Sequence, residues 1–308
     1  MIARRLGRAL TALLALALAA CAAVPAPPSP ARQVEWTEAA AGLPEQHVTV
    51  WLPPGYDSER SRRYPVLYMW DGQNLFDPAQ THYGKAWMVQ DVLGGMVAAG
   101  SAEPHIVVGI WSPPGLDRYR VYLAKPLYDA LDGEMKQDMD RMAGGPIASD
   151  AMLAWTADTL KPRIDREYRT RTSPADTTIA GSSMGGLMAC YAIVERPDVF
   201  GRAGCVSAHF ALADPELAAR HAPEIERAWA DYLSRKLGQP RGRKIWLDHG
   251  TATLDGWYGP WQDAIAADFA AQGWQEGRDF AARTYPGAEH DENFWRARMP
   301  EMLGWLWP

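Results

Sequence analysis

The chain has 308 residues, 47% of them hydrophobic and 22% charged. That balance belongs to a soluble globular protein, long enough to build a core without disulfide or metal staples. A formal charge of −6 excludes the basic footprint of a nucleic-acid binder, and the absence of CxxC and HExxH spacings leaves no framework for a zinc site.

The first twenty residues are unlike the rest. Arg4, Arg5 and Arg8 stand without an acid, and Ala9 to Ala20 is an apolar Ala/Leu run. This pattern predicts an export signal over residues 1–20, too short for a membrane span. The run ends Leu18-Ala19-Ala20-Cys21, which resembles the lipobox of bacterial lipoproteins. That resemblance implies a diacylated Cys21 as the first mature residue, a membrane anchor, and a periplasmic or cell-envelope location. A plain secretory signal with an incidental Cys21 is the alternative, and predicts a secreted protein. AAVPAPPSPA (22–31) reads as an extended tether. Residues 21–33 are therefore expected to be anchor and tether, and 34–308 one domain with no internal linker or repeat. Nothing in the sequence sets an oligomeric state.

From Val34 onward, strand-like and helix-like segments alternate. HVTVWLP (47–53) is half-alternating, and YPVLYMW (64–70) is a continuous apolar run closed by Asp71-Gly72, the mark of a buried strand. Trp87 to Met96 has helical spacing, and HIVVGIW (105–111) is again strand-like. Residues 112–145 break the rhythm with three prolines and a polar, Met-containing run, and are expected to be an insertion of loop and short helix over one end of the sheet. Ser149-Asp150 reads as an N-cap before the helical AMLAWTADTLKPRID. Four more strands are predicted at TTIAG, AGCVSAH (203–209), KIWLDHG (244–250) and FAARTYPG (280–287), with helices such as WQDAIAADFAAQ between most of them. Such alternation predicts an α/β fold, a mostly parallel sheet with helices on both faces.

After the TTIAG strand, Gly181-Ser182-Ser183-Met184-Gly185 fits G-x-S-x-G, and Leu187, Cys190, Tyr191 and Val194 then recur on one helical face. A strand-to-helix turn this tight needs glycine two places either side of its tip, and presents the tip hydroxyl clear of the sheet. That hydroxyl is Ser183; Ser182 lies on the sheet side. A serine attacks only when a base takes its proton, and the base needs an orienting acid. On sheets of this kind acid and histidine follow the serine at the ends of later strands. Asp248 stands near the end of the second strand after the serine and Asp255 in the loop beyond it, and His290 lies just past the third.

These segments together resemble a known family, the putative esterases of the α/β-hydrolase fold, which includes esterase D-type enzymes, feruloyl esterases, siderophore-ester hydrolases and mycolyltransferases. The resemblance runs from about Val48 to Trp307 on YPVLYMWDGQNLF, SDAMLAWTADTLKPRIDREYRT, AGSSMGG, IWLDHGTATLD and GAEHDENFWRARMPEML. It implies a cofactor-free and metal-free carboxylic ester hydrolase acting on a small-molecule or carbohydrate ester, with Ser183 as nucleophile and His290 as base. It also implies that the Gln73 and Met184 backbone amides form the oxyanion hole. Relatives often read GTxD where this chain has the longer GTATLD; Asp255 is the first choice for the acid and Asp248 the second. Relatives also often carry R-x-x-E-Y, which Arg118 to Tyr122 matches without its Glu. An acyltransferase with a sugar acceptor and a non-catalytic envelope lipoprotein are alternatives on the same fold; a serine peptidase would need an extra domain, of which the sequence shows no sign.

The remaining polar residues have simpler readings. His249 and Asp248 are strand neighbours pointing to opposite faces, which argues against a metal pair. His209 reads as a satisfied strand-end histidine, with lining of the pocket as the alternative, and Asp291 and Glu292 read as solvated loop charges. Cys190 and Cys205 read as buried thiols. Of the 14 tryptophans, Trp111 and Trp257 fall in loops at the active-site end and are candidates to stack on a sugar or aryl group.

Overall fold

The computed structural model describes residues 28–81 and 83–307. The expected export signal, Cys21 and most of the expected tether lie outside the described residues. A single eight-stranded sheet runs in the order β1-β2-β4-β3-β5-β6-β7-β8. Its strands are β1 (Arg32–Glu38), β2 (Gln46–Leu52), β3 (Val66–Trp70), β4 (Ile106–Ile110), β5 (Thr177–Ser182), β6 (Arg202–Val206), β7 (Lys244–Gly250) and β8 (Phe280–Tyr285). The pairs β1–β2 and β2–β4 are antiparallel and all later pairs are parallel. The expected tether boundary at residue 33 thus falls inside β1, an edge strand with no fully buried residue.

The parallel strands carry continuous apolar runs because both faces are covered. In β3, Val66, Tyr68 and Trp70 join the larger core cluster, while Leu67 and Met69 join the other. The helices are α1 (Val89–Ala98), α2 (Leu116–Tyr122), α3 (Lys125–Ala130), α4 (Gly133–Ala143), α5 (Ser149–Trp155), α6 (Lys161–Glu167), α7 (Met184–Glu195), α8 (Pro215–Arg220), α9 (Ala222–Lys236), α10 (Gly259–Ala271) and α11 (Glu292–Leu306). Side chains of α1 and α11 fill the second cluster, and those of α2 to α7, α9 and α10 fill the first. This is the α/β-hydrolase arrangement.

Three local expectations change. The 112–145 insertion is chiefly helical, as α2, α3 and α4, with Val121, Leu127, Met135 and Met139 buried in the main core. Ser149 is the first residue of α5 instead of its cap, and its hydroxyl accepts a bond from the Lys125 amide (3.0 Å). Between α5 and α6 the chain makes a π-helical turn, Thr156–Leu160, just before Pro162. A proline within a continuing helix lacks a donor and crowds the preceding turn, and the wider turn makes room for it. Among the described residues no helix is long and apolar enough to cross a membrane, and Cys190 and Cys205 are buried free thiols.

Candidate active site

Four strand ends converge on one site. Of the non-glycine residues with positive φ, Asp71, Ser183, Ser207 and Thr253 follow β3, β5, β6 and β7. Left-handed backbone at such residues costs about 1–3 kcal/mol each and tends to collect where side chains are held for function. Ser183 has φ 58° and ψ −123°, between β5 and α7. The neighbouring glycines are forced by space: a Cβ on Gly181 would sit 2.7 Å from the Gly185 backbone, one on Gly185 2.9 Å from Asp71 Oδ2, and one on Gly186 2.8 Å from the Val206 carbonyl. The turn is pinned to β6 by Ser183 N–H donating to Val206 O (3.0 Å) and His209 N–H donating to Ser183 O (3.0 Å). Ser182 is buried and Ser183 is partly exposed.

His290 lies beyond β8, its backbone amide donating to Thr253 Oγ1 at 2.9 Å. Its ring stands edge-on between Tyr258 (5.5 Å) and Trp295 (5.0 Å), and Nδ1 is 2.6 Å from Asp255 Oδ1. The second oxygen, Asp255 Oδ2, accepts from Ser207 Oγ and Gly250 N, both at 2.6 Å. Burial pushes the Asp255 carboxyl up, but the bonds from His290, Ser207 and Gly250 outweigh it and hold the pKa below the ordinary value. An ionised carboxylate only accepts, so His290 carries its proton on Nδ1 and leaves Nε2 free as a base.

Asp248 is placed differently. Its Oδ1 faces Arg298 Nη2 (2.8 Å) and its Oδ2 accepts from Trp246 Nε1 (2.6 Å). Burial raises its pKa against the pull of Arg298. It makes no bond to His290.

The turn Gly72–Asn74 follows β3. Asp71, at φ 59°, is clamped by Arg118 through Nε–Oδ1 (2.7 Å) and Nη2–Oδ2 (2.8 Å). The Gln73 side chain is drawn aside, donating to Ser112 Oγ (2.7 Å) and accepting from Ser112 N (3.1 Å). The backbone amides of Gln73 and Met184 open their helical turns and have no intrahelical acceptor.

Asp291 and Glu292 are not solvated charges. Asp291 caps α11 and pairs with Lys85 (2.7 Å), while buried Glu292 accepts from Asn74 Nδ2 (3.1 Å). Together they tie the His290 loop to the segment after β3. Trp111 stacks on His47 (3.8 Å), donates to Thr49 Oγ1 (2.9 Å) and leans on Gly72, so it braces this turn. Trp257 is 55% exposed beside the site. His249 is buried, with its ring nitrogens on Gly250 O and Thr284 Oγ1, and no metal-ligating cluster occurs among the described residues.

Sequence reasoning gave no active-site role to Tyr258, Ser207 or Arg298, and offered His209 a place in the pocket only as the second reading. Tyr258 OH lies 2.7 Å from His209 Nδ1 and also interacts with the Ser183 hydroxyl. Burial, with His290 and Arg118 nearby, pulls His209 down to about 4, so it is neutral at physiological pH. Burial pushes the Tyr258 phenol up, keeping it protonated. Ser183 makes no hydrogen bond to His290 here; such bonds commonly tighten only on substrate binding.

Comparison with known proteins agrees with this architecture. The model of a family described as putative esterase matches residues 44–306. An endo-1,4-beta-xylanase/feruloyl esterase of Xylanibacter ruminicola is 26% identical over 175 residues, 56% of this chain but only 20% of that protein. The chain thus spans about a fifth of that relative's length. Among solved structures, a ferulic acid esterase superposes with a TM-score of 0.62 at 20% identity, covering 90% of this chain and 98% of that one. The enterobactin esterase of Shigella flexneri gives 0.62 at 18% identity, covering 91% and 61%. With nearly its whole described length matched, the chain belongs to the putative esterase family.

Proposed function

We propose that the protein hydrolyses carboxylic esters through an acyl-enzyme on Ser183. The observation that carries this reading is the 2.6 Å His290–Asp255 bond beside a serine held at φ 58° on the β5–α7 turn. His290 Nε2 takes the Ser183 proton as Oγ attacks the ester carbonyl. The oxyanion is received by the Gln73 and Met184 amides, at the positive end of α7, where one fixed donor is worth about 3–4 kcal/mol in related chemistry. His290 then protonates the leaving alcohol, and a water activated by the same imidazole releases the acid. Asp255 orients the imidazole and stabilises its charged form.

The substrate reading is an acylated or feruloylated carbohydrate, or a siderophore ester. It is supported by the ferulic acid esterase and the enterobactin esterase that share the fold. It is also supported by exposed Trp257, Leu116 and Phe294 in the segments after β7, β4 and β8, at the site's edge of the sheet. A panel of acetylated xylan, methyl ferulate, aryl esters of graded length and a catecholate siderophore ester tests this. Release of free acid, with aromatic acyl esters preferred over acetyl by tenfold or more in kcat/KM, is expected; turnover of none of them would refute it. Acyl transfer to an added sugar in place of release would instead make the protein an acyltransferase.

We further propose that the protein is exported and held at the cell envelope through Cys21, on the strength of the LAAC run. Bacterial expression with labelled palmitate should label the wild type and not Cys21→Ser. An unlabelled, freely secreted wild type would contradict the anchor.

A further inference from the structure

Arg298 is almost fully buried in α11, and only its Nη2 is partnered. That one nitrogen lies 2.8 Å from Asp248 Oδ1, 3.6 Å from Asp255 Oδ2 and 2.5 Å from Ser207 Oγ. Nε and Nη1 have no hydrogen-bond partner, and the guanidinium lies 5.0 Å over the Tyr285 ring. Ser207 Oγ receives two donors, Arg298 Nη2 and Trp295 Nε1 (3.0 Å). Both lone pairs are then occupied, and its own proton goes to Asp255 Oδ2 at 2.6 Å. The cluster therefore holds two carboxylates and one cation behind His290, a net charge of one negative.

We infer that Asp248 and Arg298 are a charge-setting pair for the Asp255–His290 couple: Asp248 takes up the Arg298 charge, so that Asp255 presents a full negative charge to the imidazole, while Arg298 and Ser207 fix the orientation of Asp255. This rests on the triad reading above. Asp248 and Arg298 touch neither substrate nor reacting atoms in it and act as positioning residues. Without Asp248, the buried guanidinium would have only Asp255 to answer it, and the charged imidazole would lose its support. Without Arg298, two carboxylates would share the pocket, and one would take up a proton near neutral pH. Asp248, already raised by burial, is the one placed to do so.

The other charged or titratable groups around His290 leave the effect legible. Tyr258 on the turn before α10 is held protonated, and His209 after β6 is held neutral at physiological pH. Asp71 is paired with Arg118 and Asp291 with Lys85, while burial raises Glu292. Facing Arg298, Tyr285 on β8 is held protonated by burial; Cys205 on β6, in the core on the other face of the sheet, senses Asp248 and is held protonated by burial as well.

The test is the pH profile of kcat/KM on one aryl ester. Asp248→Asn should move the acid limb to lower pH by about one unit, the size of one charge removed at this range in a partly polar interior. Arg298→Met should move it to higher pH, by less, because Asp248 protonates in its place; Arg298→Lys should return it toward wild type. A purely structural role would lower the melting temperature in both variants without shifts of opposite sign. An Asp248→Asn profile that is unmoved, or moved upward, overturns the proposal, and this arm decides even if Arg298→Met fails to fold. Failure of the triad reading itself would show separately, as retained activity in Asp255→Asn.

Discussion

Asp255→Asn is expected to lower kcat by about 10⁴-fold, the scale of turning a triad acid into an amide. The amide nitrogen would face His290 Nδ1 across the present 2.6 Å contact and favour the tautomer with its proton on Nε2, which is useless as a base. Asp248→Asn should cost far less, about tenfold at most near its own optimum, because it acts only through charge. The two carboxylates lie seven residues apart and are both buried, so this contrast separates them cleanly. Equal losses, or a larger loss at Asp248, would return the acid to the β7 end. A stability signature accompanies the activity loss. The Asp255 pKa is lower in the folded chain than in the unfolded one, so its contribution to stability is complete above the unfolded value of about 4 and is lost as pH falls through the folded value. The destabilisation of Asp255→Asn relative to wild type should therefore be full at pH 6 to 8 and shrink below about pH 4. Thermal melts of the two proteins across that range would show it, and a difference that grows on acidification would contradict the assignment.

Ser183→Ala carries the other large effect, a fall in kcat of about 10⁵–10⁶-fold, the scale of removing a nucleophile that acts as one unit with its base. The variant keeps a Cβ and the same strained turn at φ 58°, so the melting temperature should stay close to wild type. Ser182→Ala, on the buried strand side, should cost less than about tenfold in kcat, because its hydroxyl has no part in the reaction proposed. A variant pair with those effects exchanged would move the nucleophile one residue.

The fold was legible where burial is uniform. VLYMW and IVVGI have no polar residue to interrupt them, and their neighbours at Pro65, Asp71 and Ser112 stop them. The Gly181 and Gly185 positions were equally plain, since the space they must leave empty is set by turn geometry alone. What escaped were groups meeting across long stretches of chain. Arg298 reaches Ser207 over 91 residues, and Tyr258 reaches His209 over 49; no local pattern marks either. β1 escaped as an edge strand whose exposed residues blunt its apolar face. Asp291 and Glu292 misled because two adjacent acids after a histidine look solvated, whereas one caps a helix and the other ties two loops. The rival acids at 248 and 255 could not be ranked by spacing, since the difference between them is the direction each carboxylate faces. One looks along β7 to Arg298, the other across to His290.

The central claim is that the reactive oxygen is Ser183 Oγ. Reaction with a fluorophosphonate, followed by intact-mass measurement and peptide mapping, addresses it without knowledge of the natural substrate. A single adduct on Ser183, absent in Ser183→Ala and greatly slowed in Asp255→Asn, is the predicted result. An adduct on Ser182 or elsewhere, or an enzyme that cleaves esters while refusing the label, would contradict it.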